Sequence, residues 1–188
     1  MKIKSILFLF FFITVSAFSQ SKKEIKKYKI KAATVNVIET PTKDKETNRK
    51  ESFQRFDNNG NITEEIEYNK DGTFKKKESR KFNKENDIVE ETTYDEKGNV
   101  KKKTTTEFND SKDKTVETVV DGKGNIVEKT QFGYNPKGEK TYELTTDDKG
   151  KVVKKSIYTH DKNGMKTEKK TYGGNGDLIS TKKFIYEY

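Results

Sequence analysis

Four aromatic residues, Phe132, Tyr134, Tyr142 and Tyr158, and five lysines, Lys166, Lys169, Lys170, Lys182 and Lys183, are the groups whose type and clustering could do chemistry in this sequence. Rings on an open sheet can stack against sugars, and they can equally be the best-packed part of a thin core. A lysine cluster attracts a polyanion through its summed field. Catalysis asks for more. The only histidine, His160, occupies a position that neighbouring repeats fill with Phe or Tyr, which makes it a strand-end filler and not a base. No Ser has a second triad member at a recognisable spacing, and the chain has no Cys. The carboxylates that recur are absorbed by turns and by pairing with lysines, so no catalytic residue is assigned. "DNNGN" and "DEKGN" look like fragments of calcium loops, yet they lack the bidentate acid that closes one. Without thiolates or such an acid, neither metal nor cofactor is expected.

The elements that must position these groups follow from a repeat. Phe56, Tyr68, Phe82, Tyr94, Phe108, Val120, Tyr134, Thr146, His160, Tyr172 and Tyr186 are spaced alternately by 12 and 14 residues, a true period of 26. Four residues after each of the first ten stands Gly or Asn, with Lys112 the one departure. Gly and Asn tolerate positive φ, and at the end of a three-residue hairpin loop they mark a type I turn followed by a left-handed bulge. Asp57, Asn69, Asp95 and Asp121 precede such loops, where their side chains can bond the turn backbone. The segments between turns become strands of about seven and nine residues in alternation.

Centring each loop pairs Phe56 with Ile62, Tyr68 with Phe74, Phe82 with Ile88 and Tyr172 with Leu178. The same centring sets Lys77 against Glu65, Lys103 against Glu91, Lys129 against Glu117 and Lys155 against Glu143, a charge ladder on a wet face. It also sets Phe132 against Tyr142, with Tyr158 diagonal and Tyr134 nearby. Unequal strand lengths make the register drift by two residues for every two strands, which slants and coils the sheet. Lys76, Glu78, Arg80, Glu90 and Lys102 fall mid-strand on the more apolar face, where a filled barrel has no room for them. The expected fold is therefore all-β: an antiparallel meander of about twelve strands in an open, coiled, single-layer sheet, with closure into a barrel or spiral left open. Lysine-rich terminal strands would guard its edges.

Residues 1–19 have Lys2 and Lys4 ahead of an apolar run from Ile6 to Val15, then small residues, the layout of a signal peptide cleaved before Gln20. Loss of Lys2 and Lys4 lowers the net charge from +9 to +7. The run is too short to prefer spanning a bilayer. An exported chain without cysteine depends on backbone pairing and packing alone. Residues 20–27 read as a flexible basic arm, and residues 28–188 as one β-repeat domain whose regular repeats occupy 56–188, preceded by strands "KYKIKAATVNVIE" and "RKESFQRF".

The units "FDNNGNI", "YDEKGNV", "VDGKGNI" and "TDDKGKV" resemble the Tyr-Asp (YD) repeats of the RHS family over residues 56–178, and MORN-like hairpin repeats are also similar. The resemblance implies β-sheet strips that spiral, in secreted or surface proteins, with carbohydrate binding often ascribed to them. The function expected is that of a non-enzymatic, periplasmic or secreted binding or scaffold module for an envelope glycan or protein. A carboxylate-based glycan hydrolase and a polyanion-binding or assembly protein are the alternatives. No specific nucleic-acid partner and no transmembrane segment after leader removal are expected.

Overall fold

A computed structural model describes residues 22–39 and 47–186. The leader expected at residues 1–19 therefore lies outside the described residues. Helix α1, Lys22–Lys27, is followed by twelve strands. These are β1 (Ala32–Glu39), β2 (Thr47–Phe56), β3 (Ile62–Tyr68), β4 (Phe74–Phe82), β5 (Ile88–Tyr94) and β6 (Val100–Phe108), then β7 (Lys114–Asp121), β8 (Ile126–Tyr134), β9 (Lys140–Asp147), β10 (Val152–His160), β11 (Lys166–Gly173) and β12 (Leu178–Lys183). They form one antiparallel sheet in chain order, β1 through β12, with β1 and β12 as its two edges. The sheet does not close, and the open meander expected from the repeat is the observed fold.

Each expected turn residue has positive φ, from Gly60 at 79° to Gly176 at 87°, and Asn86 at 68° and Lys112 at 66° follow the glycines. Each loop is closed by the same pair of backbone bonds: in the fourth, Gly98 N–H donates to Asp95 O at 3.1 Å and Asp95 N–H to Asn99 O at 2.9 Å. The Asp95 carboxylate accepts from the N–H groups of Lys97 and Asn99, at 2.9 and 2.8 Å. The side-chain amide of Asn99 and these N–H groups hold its pKa below the usual carboxylate value. Asp57 and Asp121 do the same work in their loops. Asn69 differs: it donates to Thr73, and Asp71 takes over the Thr73 N–H.

A lysine in the left-handed region carries a steric penalty of about 1–2 kcal/mol that glycine escapes, partly offset by glycine's greater freedom when unfolded. Lys112→Gly is thus expected to stabilise the sheet by about 0.5–1 kcal/mol and raise Tm by about 2 °C. A thermal melt followed by circular dichroism checks this, and a lower Tm would show that the Lys112 side chain contributes more than its backbone costs.

The pairs nearest the turns stand as the sequence places them: Phe56 opposite Ile62, Tyr68 opposite Phe74, Phe82 opposite Ile88 and Tyr172 opposite Leu178. One residue further on, every one of these hairpins shifts register at a bulge. Lys77 lies opposite Ile66 and not Glu65, Lys103 opposite Thr92, Lys129 opposite Thr118 and Lys155 opposite Leu144. The expected Glu–Lys ladder therefore does not form. A slip of one residue exchanges the faces of a strand, and the lysines stand on the side opposite their intended acids. Some find other partners diagonally, Lys77 at 3.4 Å from Glu64 and Lys103 at 2.7 Å from Glu90.

The drift in register is as expected. Glu65, Glu78, Thr93, Lys102 and Asp121 share one row across five strands. The sequence repeat alone would put Glu91 and Glu117 where Thr93 and Asp121 stand, so each repeat slips two residues, and this shear coils the sheet. In a single layer, burial comes from that coiling. Thr145 and Ser156 at 1% exposed, Gln54 at 6%, Glu78 at 7% and Tyr158 at 8% all lie on one face, called inner below; on the outer face Thr92 is the buried exception. Arg80 makes inner-face charges tolerable by bridging Glu65, Glu78 and Glu91 at 3.5, 2.6 and 3.1 Å.

The segment read as a flexible basic arm contains helix α1. Glu24 in its first turn and Lys26 and Lys27 in its last suit the helix dipole, and Ile25 is buried. Its start packs on the first hairpin loop: a Cβ added to Gly60 would come within 2.7 Å of the Lys22 carbonyl oxygen.

Candidate ligand-binding face

On the inner face from β7 to β12, three columns recur every 26 residues: Lys114, Lys140 and Lys166; Phe132, Tyr158 and Phe184; Glu117, Glu143 and then Lys169. The strands bring them into a continuous stack. Lys114 and Lys140 lie 5.6 and 4.8 Å from the Phe132 ring centre, Lys140 and Lys166 lie 5.7 and 4.7 Å from that of Tyr158, and Lys166 is 5.5 Å from Phe184. Phe132 and Tyr158 are thus each bracketed by ammonium groups, and Phe184 carries one, an arrangement favoured by the ring quadrupole.

Glu143 is the electrostatic centre. It accepts from Lys140 at 2.9 Å and from Lys169 at 3.2 Å, with Tyr158 hydrogen-bonded beside it. Burial pushes its carboxyl up, but the bonds from Lys140 and Tyr158 and the charges of both lysines outweigh this and leave it at about 2. Burial and the neighbouring Glu143 raise the Tyr158 hydroxyl against the pull of Lys169. Burial lowers Lys169, and the Tyr158 hydrogen bond with the Glu143 charge more than reverses that. Between these columns runs a row of hydroxyls, Thr130 to Thr145 at 3.1 Å and Ser156 to Thr171 at 3.3 Å. An open depression of about 360 Å³ is lined by residues that include Lys114, Glu117, Phe132, Lys140, Glu143 and Lys154.

The four aromatic residues read from the sequence do not share one patch. Phe132 and Tyr158 are inner-face residues, and the Tyr134 hydroxyl donates to the Lys114 carbonyl at 2.9 Å. Tyr142, expected opposite Phe132, lies opposite Gly133 on the outer face, and Phe132 faces Glu143 instead. The bulge next to Tyr134 makes this change. The Tyr142 ring folds over the glycine so closely that a Cβ there would be 1.9 Å from it. Lysine contacts cover the Tyr158 ring, so it packs the face and offers no open platform for a sugar. The basic patch divides too. Lys169 lies opposite Lys182 on the inner face, whereas Lys170 lies opposite Thr181 and Lys183 opposite Glu168 on the outer. Lys170 pairs with Glu168 at 2.9 Å. His160 ends β10 opposite Lys166, half-buried, as a strand-end residue.

Sequence reasoning passed over Lys114, Lys140 and Lys154. The 26-residue recurrence of Lys114, Lys140 and Lys166 was the signal that could have found the first two. Among the described residues no group of three His, Asp or Glu could hold a metal ion. No helix among them is long and apolar enough to cross a membrane.

No protein-family model matches the chain, and no curated protein sequence does. Solved structures are similar to the chain at low identity. A porin-like protein from Bacteroides uniformis gives a TM-score of 0.47 at 12% identity, covering 79% of this chain and 75% of its own. A structure of TcdB2-TccC3-TEV gives 0.41 at 12% identity over 72% of this chain, which spans only 9% of that one. A protein of unknown function from Bacteroides fragilis gives 0.34 at 12% identity, over 84% and 96%. At these scores each is a likeness of architecture and says nothing of activity.

Proposed function

We propose that the chain is an exported, non-enzymatic binding module whose inner face at β7–β12 holds a glycan or protein partner at the cell envelope. The observation that supports this is the fixed array of cations: Lys140 is held between Phe132 and Tyr158 at 4.8 and 5.7 Å, and Lys166 sits 4.7 Å from Tyr158. Lysines already held in place give up less side-chain entropy when a partner binds. Export rests on the leader-like residues 1–19, and the YD-type turn motifs agree with a secreted or surface repeat protein.

The competing hydrolase reading needs a carboxylic acid whose pKa is raised so that it can donate a proton. Glu143 has the opposite environment, with two lysines keeping it ionised down to about 2. That suits a permanent anion that orders the lysines around it.

The test is a screen of the purified protein against envelope glycans and an envelope-fraction pull-down, beside a Lys140→Gln/Lys166→Gln variant that circular dichroism shows to be folded. A partner retained at least tenfold better by the native chain supports the reading. No partner, or equal retention by both proteins, removes this face as the site.

A further inference from the structure

We infer that β1 is a docking edge for a second copy of the chain: two β1 strands pair antiparallel about a two-fold axis at Val35 and join two sheets into one strip. This edge lies at the opposite end of the sheet from the β7–β12 face and goes beyond the binding reading. Composition sets β1 apart. Its residues 32–38, "AATVNVI", have no charge, no Pro and no Gly, and its single charged residue is Glu39 at the end. Each of the other eleven strands carries at least two charges. An edge is where charge is most needed, because its row of unpaired N–H and C=O groups templates another chain. The lysine guard expected at both edges is present at β12 alone, where Lys182 and Lys183 stand one on each face.

The edge is also regular. The bulge between β1 and β2 places its extra residue, Glu51, in β2, so β1 itself runs unbroken. Ala33 and Val35, opposite Gln54 and Ser52, are half-buried on the inner face, while Ala32, Thr34 and Asn36 are exposed. The Lys31 carbonyl accepts the Phe56 N–H at 2.9 Å, so the odd-numbered residues bond to β2, and the backbone groups of Ala32, Thr34 and Asn36 point away from it. The start of helix α1 packs on the Gly60 loop, beyond β2 and on the side away from this edge.

These constraints select the partner. A register that keeps inner residues on the inner face pairs even-numbered positions with even and odd with odd. Centring on Val35 makes Thr34 with the partner's Asn36, and Ala32 with the partner's Ile38, the hydrogen-bonded pairs, and sets Ala33 against the partner's Val37 between them. Val35 meets its own copy at a close, non-hydrogen-bonded position. Among the allowed registers this one also sets Lys31 opposite the partner's Glu39, once at each end of the uncharged run. In the single chain the Lys31 ammonium donates to the exposed Asn58 side-chain oxygen, a bond that the new pair can replace. An uncharged run closed at both ends by opposite charges is self-complementary, as a two-fold contact requires. Docking on β12 of another copy would instead bring Lys182 and Lys183 to a run without an acid, and would leave free edges for open-ended growth.

The experiment measures the mass of the purified protein by light scattering across a concentration series. The expected result is a rise from one chain to two and no further. Thr34→Pro removes an outward N–H, a place where an edge strand accepts proline, and is expected to hold the mass at one chain while circular dichroism stays native. Lys31→Glu is expected to weaken the dimer at least fivefold, and Lys31→Glu/Glu39→Lys to recover it. Should Thr34→Pro unfold, the charge-reversal pair decides. One chain at every concentration, growth beyond two chains, an undiminished dimer in folded Thr34→Pro, or no recovery in the double variant each overturns the inference. None of these substitutions touches Lys140 or Lys166, so partner capture by the β7–β12 face is scored separately.

Discussion

Glu143→Gln is expected to lower the unfolding free energy by about 2–3 kcal/mol at neutral pH. The carboxylate answers two lysines and a tyrosine hydroxyl, and its side chain is 18% exposed. Removing one member of a partly buried ionic cluster leaves the others uncompensated. The pKa of about 2, against an ordinary 4.5, independently limits the contribution to about 3 kcal/mol. The sign follows from the direction. A carboxylate whose folded pKa lies below its unfolded value stabilises the fold above about 4.5, and that stability disappears as pH falls towards 2. Urea unfolding at several pH values should therefore show a decline in native stability across this interval that is shallower in the variant. Equal slopes would mean that Lys140 and Lys169 are satisfied by solvent.

Tyr158→Ala should destabilise the fold by about 3 kcal/mol, the lower end for truncating a buried aromatic. The ring is among the few buried apolar side chains of a single-layer sheet, with Lys140, Lys166 and Lys169 within 5.7, 4.7 and 5.0 Å. Tyr158→Phe keeps the ring and loses only the hydroxyl at Glu143, which limits its effect to about 1 kcal/mol. Because Tyr158 and Glu143 share partners, the double variant should lose less than the two single losses added together. Chemical denaturation of the four proteins measures this coupling. Strict additivity would show that ring and carboxylate act independently.

Turn positions were legible in the sequence because backbone conformation at Gly60 or Gly98 is decided within a few residues. Even Lys112 keeps the glycine geometry, since the strands on either side impose it. The pairs beside each turn and the two-residue drift were legible for the same reason. Mid-strand register was not. A left-handed bulge inserts its extra residue just past the turn pair, as at Lys75 between Phe74 and Lys76, and a loop-centred count has no term for it. That one residue moved Tyr142 away from Phe132, Lys77 away from Glu65, and Lys183 away from the face of Lys169, whereas Lys170, next to Lys169 in the strand, takes the other face in any register. Helix α1 was hidden because its six residues carry one apolar side chain, Ile25, and show no periodicity.

Every pairing in this sheet joins strands that are consecutive in the chain. No strand waits for a distant partner, so loop-closure entropy stays small, and folding can start at any hairpin and spread to its neighbours. The same arrangement leaves the molecule without a seam that locks its ends together. Tension applied between the termini would peel it from β1 or β12 one strand at a time, as a zipper opens. Duplicating one 26-residue unit would lengthen the strip by two strands and leave the remaining contacts as they are.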